Sequence, residues 1–140
     1  MLYKKALFLC LISVSFSAVA TAQTNVDQVG FDLKAECTTR GTDWDGTGHG
    51  CTSDPQTYTA PSGYVIVKDS VQALENSGAG RRHNCPVEFR DDVEIIKGVG
   101  IYQPRTMIMY AEAQSPGGMS SAGKRGWARC SFVGFITKYQ

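Results

Sequence analysis

From Phe31 onward, apolar and polar side chains alternate one by one. Phe31, Leu33, Ala35 and Cys37 fall on one side, and Asp32, Lys34, Glu36 and Thr38 on the other. A period of two marks a strand with one dry and one wet face. Residues 30–39 are therefore predicted as a first strand, with Cys37 pointing inward. A second strand is predicted over residues 63–74, opened by the β-branched run Tyr64-Val65-Ile66-Val67. Val65, Val67, Val71 and Ala73 share its dry face. Asp69 interrupts that face, which calls for a bulge or an edge position. A helical turn starting at Val71 is the minor alternative.

Asn76-Ser77-Gly78-Ala79-Gly80 has the composition of a turn. Beyond it Cys85, Val87 and Phe89 take one parity, and Asn84, Glu88 and Arg90 the other. Pro86 has no N–H to give a ladder, so this strand belongs at an edge or a bulge. Arg90-Asp91-Asp92 is predicted as a turn, after which Val93 and Ile95 resume the apolar side until Gly98 and Gly100. Residues 106–114 alternate again, with Met107, Met109, Ala111 and Ala113 opposed to Thr106, Ile108, Tyr110, Glu112 and Gln114. Residues 115–126 are rich in Gly and Ser and predict a mobile loop. The last segment, 127–139, is apolar on both parities at Phe132, Val133, Phe135 and Ile136, as expected of a central strand covered on both faces.

Residues 40–62 lack any apolar period. A stretch of that length without structure implies function or disorder. Tyr58 is placed in a short edge strand before Pro61. No segment holds a helical period. Six or seven strands joined by Gly, Ser and Pro turns predict an all-β fold, a small antiparallel β-sandwich or a partly open barrel.

The ends set the compartment. Lys4 and Lys5, the uncharged run from Ala6 to Ala18 and the small-x-small Ala20-Thr21-Ala22 form an export signal cleaved before Gln23. Residues 1–22 are read as this leader and residues 23–140 as one secreted or periplasmic domain. Cys10 sits inside the apolar run and not at its end, which disfavours a lipidated cysteine. The apolar run is too short to span a bilayer and no second one follows, so no membrane anchor is expected. Cys37, Cys51, Cys85 and Cys130 remain. An even number in an exported chain favours disulfides, and no Cys-x-x-Cys spacing supports zinc or redox chemistry. Of three connectivities, Cys37–Cys51 with Cys85–Cys130 is preferred: the first closes a polar loop, the second ties mid-chain to the last strand. Loss of Lys4 and Lys5 with the leader turns a net charge of +1 into a slight negative excess. That balance argues against nucleic acid as a partner and gives no reason to invoke an anionic membrane.

Candidate chemistry is concentrated in Asp43-Trp44-Asp45-Gly46-Thr47-Gly48-His49-Gly50. Alternate acids before a glycine resemble the opening of a calcium loop, but no bidentate Glu follows at the right spacing, and a polar hairpin loop in which Asp and Gly serve turn geometry is the preferred reading. No metal or cofactor is assigned. Trp44, alone in polar surroundings, is either packed back on the fold or exposed to stack on a sugar. His49 and His83 are the two histidines. Arg81-Arg82-His83 forms a basic cluster suited to a carboxylate, phosphate or sulfate if it binds anything. Lys124-Arg125-Gly126-Trp127 sets two cations before an aromatic ring. The reading favoured is a non-catalytic secreted module that binds carbohydrate or protein through Asp43, Trp44, Asp45, His49, Arg81, Arg82 and His83. Two alternatives stand beside it. One is a small hydrolase built on His49 or His83, for instance His83 paired with Glu112. The other is a secreted inhibitor or effector that docks a rigid loop.

Overall fold

The computed structural model describes residues 28–139. The leader predicted at residues 1–22, with Cys10, lies outside the described residues. Within them the chain is all-β, with three small antiparallel sheets and no closed barrel. The strands are β1 (Val29–Thr38), β2 (Gly50–Thr52), β3 (Gln56–Thr59), β4 (Tyr64–Ile66), β5 (Gln72–Ala79), β6 (Arg82–Asn84), β7 (Val87–Glu94), β8 (Tyr102–Met109), β9 (Glu112–Gln114) and β10 (Trp127–Lys138).

Strand β10 is the spine. It pairs with β1 along its length, and its other edge is shared by β5 and β4. The dry parity of β1 faces that of β10: Phe31, Leu33, Ala35 and Cys37 stand opposite Gly134, Phe132, Cys130 and Ala128. Opposite this sheet lie two three-stranded sheets, β3-β8-β7 and β2-β9-β6. They are collinear halves of one ribbon, because residues 102–114 run through the centre of both. The break falls at Tyr110–Ala111, where Pro55 interrupts one flanking strand and Pro86 the other. Neither proline can donate to a ladder. The Ser53 hydroxyl covers the gap by accepting the Ala111 N–H at 2.9 Å.

The core changes character along the molecule. At one end Phe31, Ile66, Met107 and Ile136 are buried, with the Phe31 and Tyr58 rings stacked 4.3 Å apart. At the other end the space is filled by Ala35, Ala111, Ala113 and Ala128 around the cystines. Small side chains draw the layers together there. The bridges are Cys37–Cys51 and Cys85–Cys130, with Cα separations of 6.0 and 5.7 Å. Two such bridges point to an oxidising, extracytoplasmic setting.

Several boundaries differ from the sequence expectation. The strand predicted over 63–74 is interrupted by a 3-10 turn at Lys68–Ser70, which the Ser70 hydroxyl closes by donating to the Val67 carbonyl at 2.6 Å. The turn predicted at 76–80 is extended chain of β5, and reversal waits until Gly80. A one-residue shift in the β5–β10 ladder bulges out Leu74, which is 67% exposed. Arg90-Asp91-Asp92 continues β7, with Asp91 in the left-handed region (φ 60°) and its carboxylate accepting the Thr106 hydroxyl at 2.6 Å. Phe135 is 46% exposed, so the outer face of β10 is open at that point.

Candidate functional site

The segment without apolar period, residues 40–62, contains the short strands β2 and β3; the stretch 39–50 leaves β1 and returns into β2 at the alanine-and-cystine end. It is fixed by hydrogen bonds to residues 115–126 and not by an apolar face. Thr39 and Thr42 are 2% and 3% exposed. The Thr39 N–H donates to the Gly126 carbonyl, and the Gly126 N–H returns a bond to the Thr39 hydroxyl, both at 2.8 Å. The Thr42 N–H donates to the Lys124 carbonyl at 2.9 Å, and the Gly123 N–H to the Thr42 carbonyl at 2.8 Å. Ser115, 1% exposed, receives the His49 N–H on its hydroxyl at 2.8 Å, and its own N–H donates to the His49 carbonyl at 2.8 Å. The expectation of a mobile loop over 115–126 is thereby corrected: its polar groups are paired with residues 39–50.

The tip is a tight turn. The Asp43 N–H donates to the Thr47 carbonyl at 2.9 Å and the Gly46 N–H to the Asp43 carbonyl at 3.0 Å. Gly46 has φ +87°, and a Cβ there would stand 2.9 Å from the Met119 nitrogen, so glycine is required on two counts. The Asp45 carboxylate accepts the Thr47 N–H at 2.9 Å. That backbone donor, followed by the Thr47 hydroxyl, holds the Asp45 carboxyl below the ordinary aspartate range. Trp44 projects from this rigid turn with 89% of its surface exposed.

Beneath the tip, Arg40 donates through Nη2 to both oxygens of Asp43, at 2.9 and 2.8 Å. His49 Nε2 stands 2.9 Å from Asp43 Oδ2 and 2.9 Å from Arg40 Nη2. These two contacts exclude each other. A protonated Nε2 donates to the carboxylate, and a bare Nε2 accepts from the guanidinium. Arg40 was not a sequence candidate; its spacing of three from Asp43 on an irregular loop carries no periodic signal.

The basic cluster is divided. The Arg81 N–H donates to the Gln114 carbonyl at 3.0 Å. Arg82 and His83 belong to strand β6 and stand opposite Gln114 and Ala113. Cross-strand partners share a face, so His83 takes the parity of Ala113 and Cys51, with its ring resting on Gly78 while the residue stays exposed. Glu112 takes the other parity, so His83 and Glu112 lie on opposite faces of this sheet and the acid–base pair considered from sequence is not assembled. Ser115 touches His49 through the backbone and not the ring, so no nucleophile–imidazole relay forms there. Among the described residues no group of three or more His, Cys, Asp or Glu is placed to hold a metal ion.

His49, Arg81, Gln114, Ser115 and the backbone at Gly46 and Gly117 line a depression of about 300 Å³ directly under the Trp44 turn. It shares Gly50 and Gln114 with a second hollow of about 380 Å³ bounded by Thr52, Arg82, Asn84 and Glu112 on the outer face of β2-β9-β6. The chains at Gly80, Gln114 and Gly126 meet backbone to backbone, which brings the segment holding Lys124 and Arg125 close to the one holding Arg81. Arg81, Arg82, Lys124 and Arg125 are all exposed and have no ion-pair partner among the described residues. Trp127 stacks its ring on Arg129, 5.2 Å from the centroid, and not on Lys124 or Arg125.

No family model, no characterised protein and no solved structure matches this chain.

Proposed function

We propose that this is a secreted or periplasmic, non-catalytic binding module whose ligand is a carbohydrate bearing acidic groups. The observation that carries the reading is Trp44: an indole 89% exposed on a turn closed by the Asp43 N–H on the Thr47 carbonyl and the Gly46 N–H on the Asp43 carbonyl. A fixed aromatic face is presented without the entropy loss of ordering a flexible loop, and it suits the C–H face of a sugar ring. The groove below it is shallow and polar, with glycine backbone and the Gln114 carboxamide available to hydroxyl groups. Arg81, Arg82, Lys124 and Arg125 supply cations for carboxylate or sulfate substituents.

Binding is tested on a panel of uronate-bearing, sulfated and neutral glycans, with Trp44 fluorescence as a second readout. Wild type is expected to prefer the acidic glycans and to weaken as salt is raised. Trp44→Ala is expected to abolish binding while leaving the melting temperature unchanged. Arg81→Gln with Arg125→Gln is expected to remove the acidic preference alone. Full binding by Trp44→Ala, or a lowered melting temperature, would overturn the assignment. Met119, 74% exposed beside the same turn, supports a second reading. Together with Trp44 it could seat on an apolar spot of a protein ligand, as an inhibitor or effector would. In that case binding follows Met119→Ser as strongly as Trp44→Ala, with no response to glycans.

A further inference from the structure

The opposite end of the molecule carries a different surface. Strands β7 and β8 meet in a turn over residues 95–101, and every residue from Ile96 to Tyr102 is exposed. Ile96, Val99, Ile101 and Tyr102 are 54%, 57%, 45% and 57% exposed. These apolar side chains stand together on one tip, with Lys97 among them and no acid from 95 to 102. The turn is built. The Ile95 N–H donates to the Ile101 carbonyl at 2.9 Å, the Val99 N–H to the Ile96 carbonyl at 3.1 Å, and Gly98 and Gly100 supply φ of +80° and +76°. The nearest carboxylate, Glu94, is occupied by the Gly100 N–H at 2.8 Å.

We propose that this tip inserts into the headgroup–acyl boundary of a lipid bilayer containing anionic lipid. Ile101 and Tyr102 are consecutive in extended chain and point to opposite faces, so the tip is apolar all round. Fluid hydrocarbon covers such a shape from every side, whereas a folded partner would have to enclose it in a deep slot. The flank fits a headgroup layer. Lys97 and Lys138 border a depression of about 720 Å³ beside Tyr139, and Lys138 lies 5.9 Å from the Tyr64 ring. Lysine reaching outward and tyrosine at the base are the groups that settle at a membrane interface, and the lysines favour anionic lipid. The surface is independent of the Trp44 site: β10, with 12 residues, runs between the two ends over roughly 35 Å.

The test is flotation of the full chain, processed as secreted, with vesicles of phosphatidylcholine alone and of phosphatidylcholine containing about one-third phosphatidylglycerol. Wild type is expected to float with the anionic vesicles. Ile96→Ser with Val99→Ser is expected to lower the partition coefficient at least about tenfold with an unchanged melting temperature, since both side chains are already exposed. Lys97→Gln is expected to reduce the preference for anionic vesicles while leaving weak binding to both. Wild type that stays soluble with both vesicles overturns the proposal, as does a double variant that floats like wild type. A wild-type dimer in solution that the double variant converts to monomer, without flotation, reassigns the tip to self-association and also overturns it.

Discussion

Replacing Ser115 by alanine deletes one oxygen atom from the joint between the two loops of the candidate site. That oxygen accepts the His49 N–H at 2.8 Å and the Thr42 hydroxyl at 3.2 Å. Thr42 has a second acceptor in the Lys124 carbonyl at 3.3 Å, so its hydroxyl keeps a partner. The His49 N–H does not. A buried donor left unpaired costs about 1–3 kcal/mol. The His49 side chain is 25% exposed, so water has partial access and the lower half of that range applies, about 1–2 kcal/mol. In a domain of this size that is a fall in melting temperature of roughly 4–8 °C. Urea and thermal unfolding measure it, with exposed Ser120→Ala as a control expected to stay within about 0.5 kcal/mol of wild type. Hydrogen exchange at the His49 amide should accelerate, and ligand affinity should fall even though Ser115 is not solvent-accessible. Wild-type stability together with unchanged exchange at His49 would refute the claim that this hydroxyl fixes the Trp44 turn.

Gly126→Ala places a methyl group on the Gln114 carbonyl and 2.9 Å from the Ser115 nitrogen. Backbone must move, and the expected loss is about 3 kcal/mol by thermal unfolding. Gly30→Ala, where nothing lies closer than 3.8 Å, should change stability little; equal effects at the two positions would contradict the close approach. For Asp45, the Thr47 N–H donor keeps the carboxylate ionised to lower pH than an ordinary aspartate. A depressed folded value means that this bond stabilises the turn above the ordinary aspartate pKa and is lost as pH falls through the folded one. Carboxyl-detected NMR should therefore place the Asp45 midpoint below that of unstructured aspartate, and coincidence of the two would dismiss the turn bond.

The wet–dry alternation carried most of the fold. It located β1 and the buried Met107, Met109, Ala111 and Ala113 because each packs one face against a neighbour; β10 was located instead by an apolar run on both parities. It missed β2 and β6, three-residue strands in which only Cys51 is even part-buried and no apolar alternation can register. It misread Gly78 as part of the turn that comes only at Gly80; Gly78 lies in β5, where a Cβ would strike His83. Glycine composition is the same for reversal and for close approach, and only the third dimension separates them. In the site, Trp44 and His49 were legible as unusual residues in a polar segment. Thr42 and Ser115 were not, because hydrogen-bond partners 66 to 75 residues apart leave no trace in local pattern; Arg40 was missed because its partners, three and nine residues on, sit on an irregular loop without a period. The hairpin tip was seen only as a break at Gly98 and Gly100; that its isoleucines and valine face outward required the packing.

Both cystines lie in the half whose interior is lined by alanine, and the half built on Phe31, Ile66, Met107 and Ile136 contains none. The two halves therefore resist disruption by different means. Loops closed over sequence separations of 14 and 45 contribute about 3 and 4 kcal/mol in the chain-entropy description, all of it on the side of the Trp44 turn. A thiol-rich environment strikes that side first and spares the aliphatic end. The proposed Trp44 site is therefore the part of the molecule that depends most directly on the cystines.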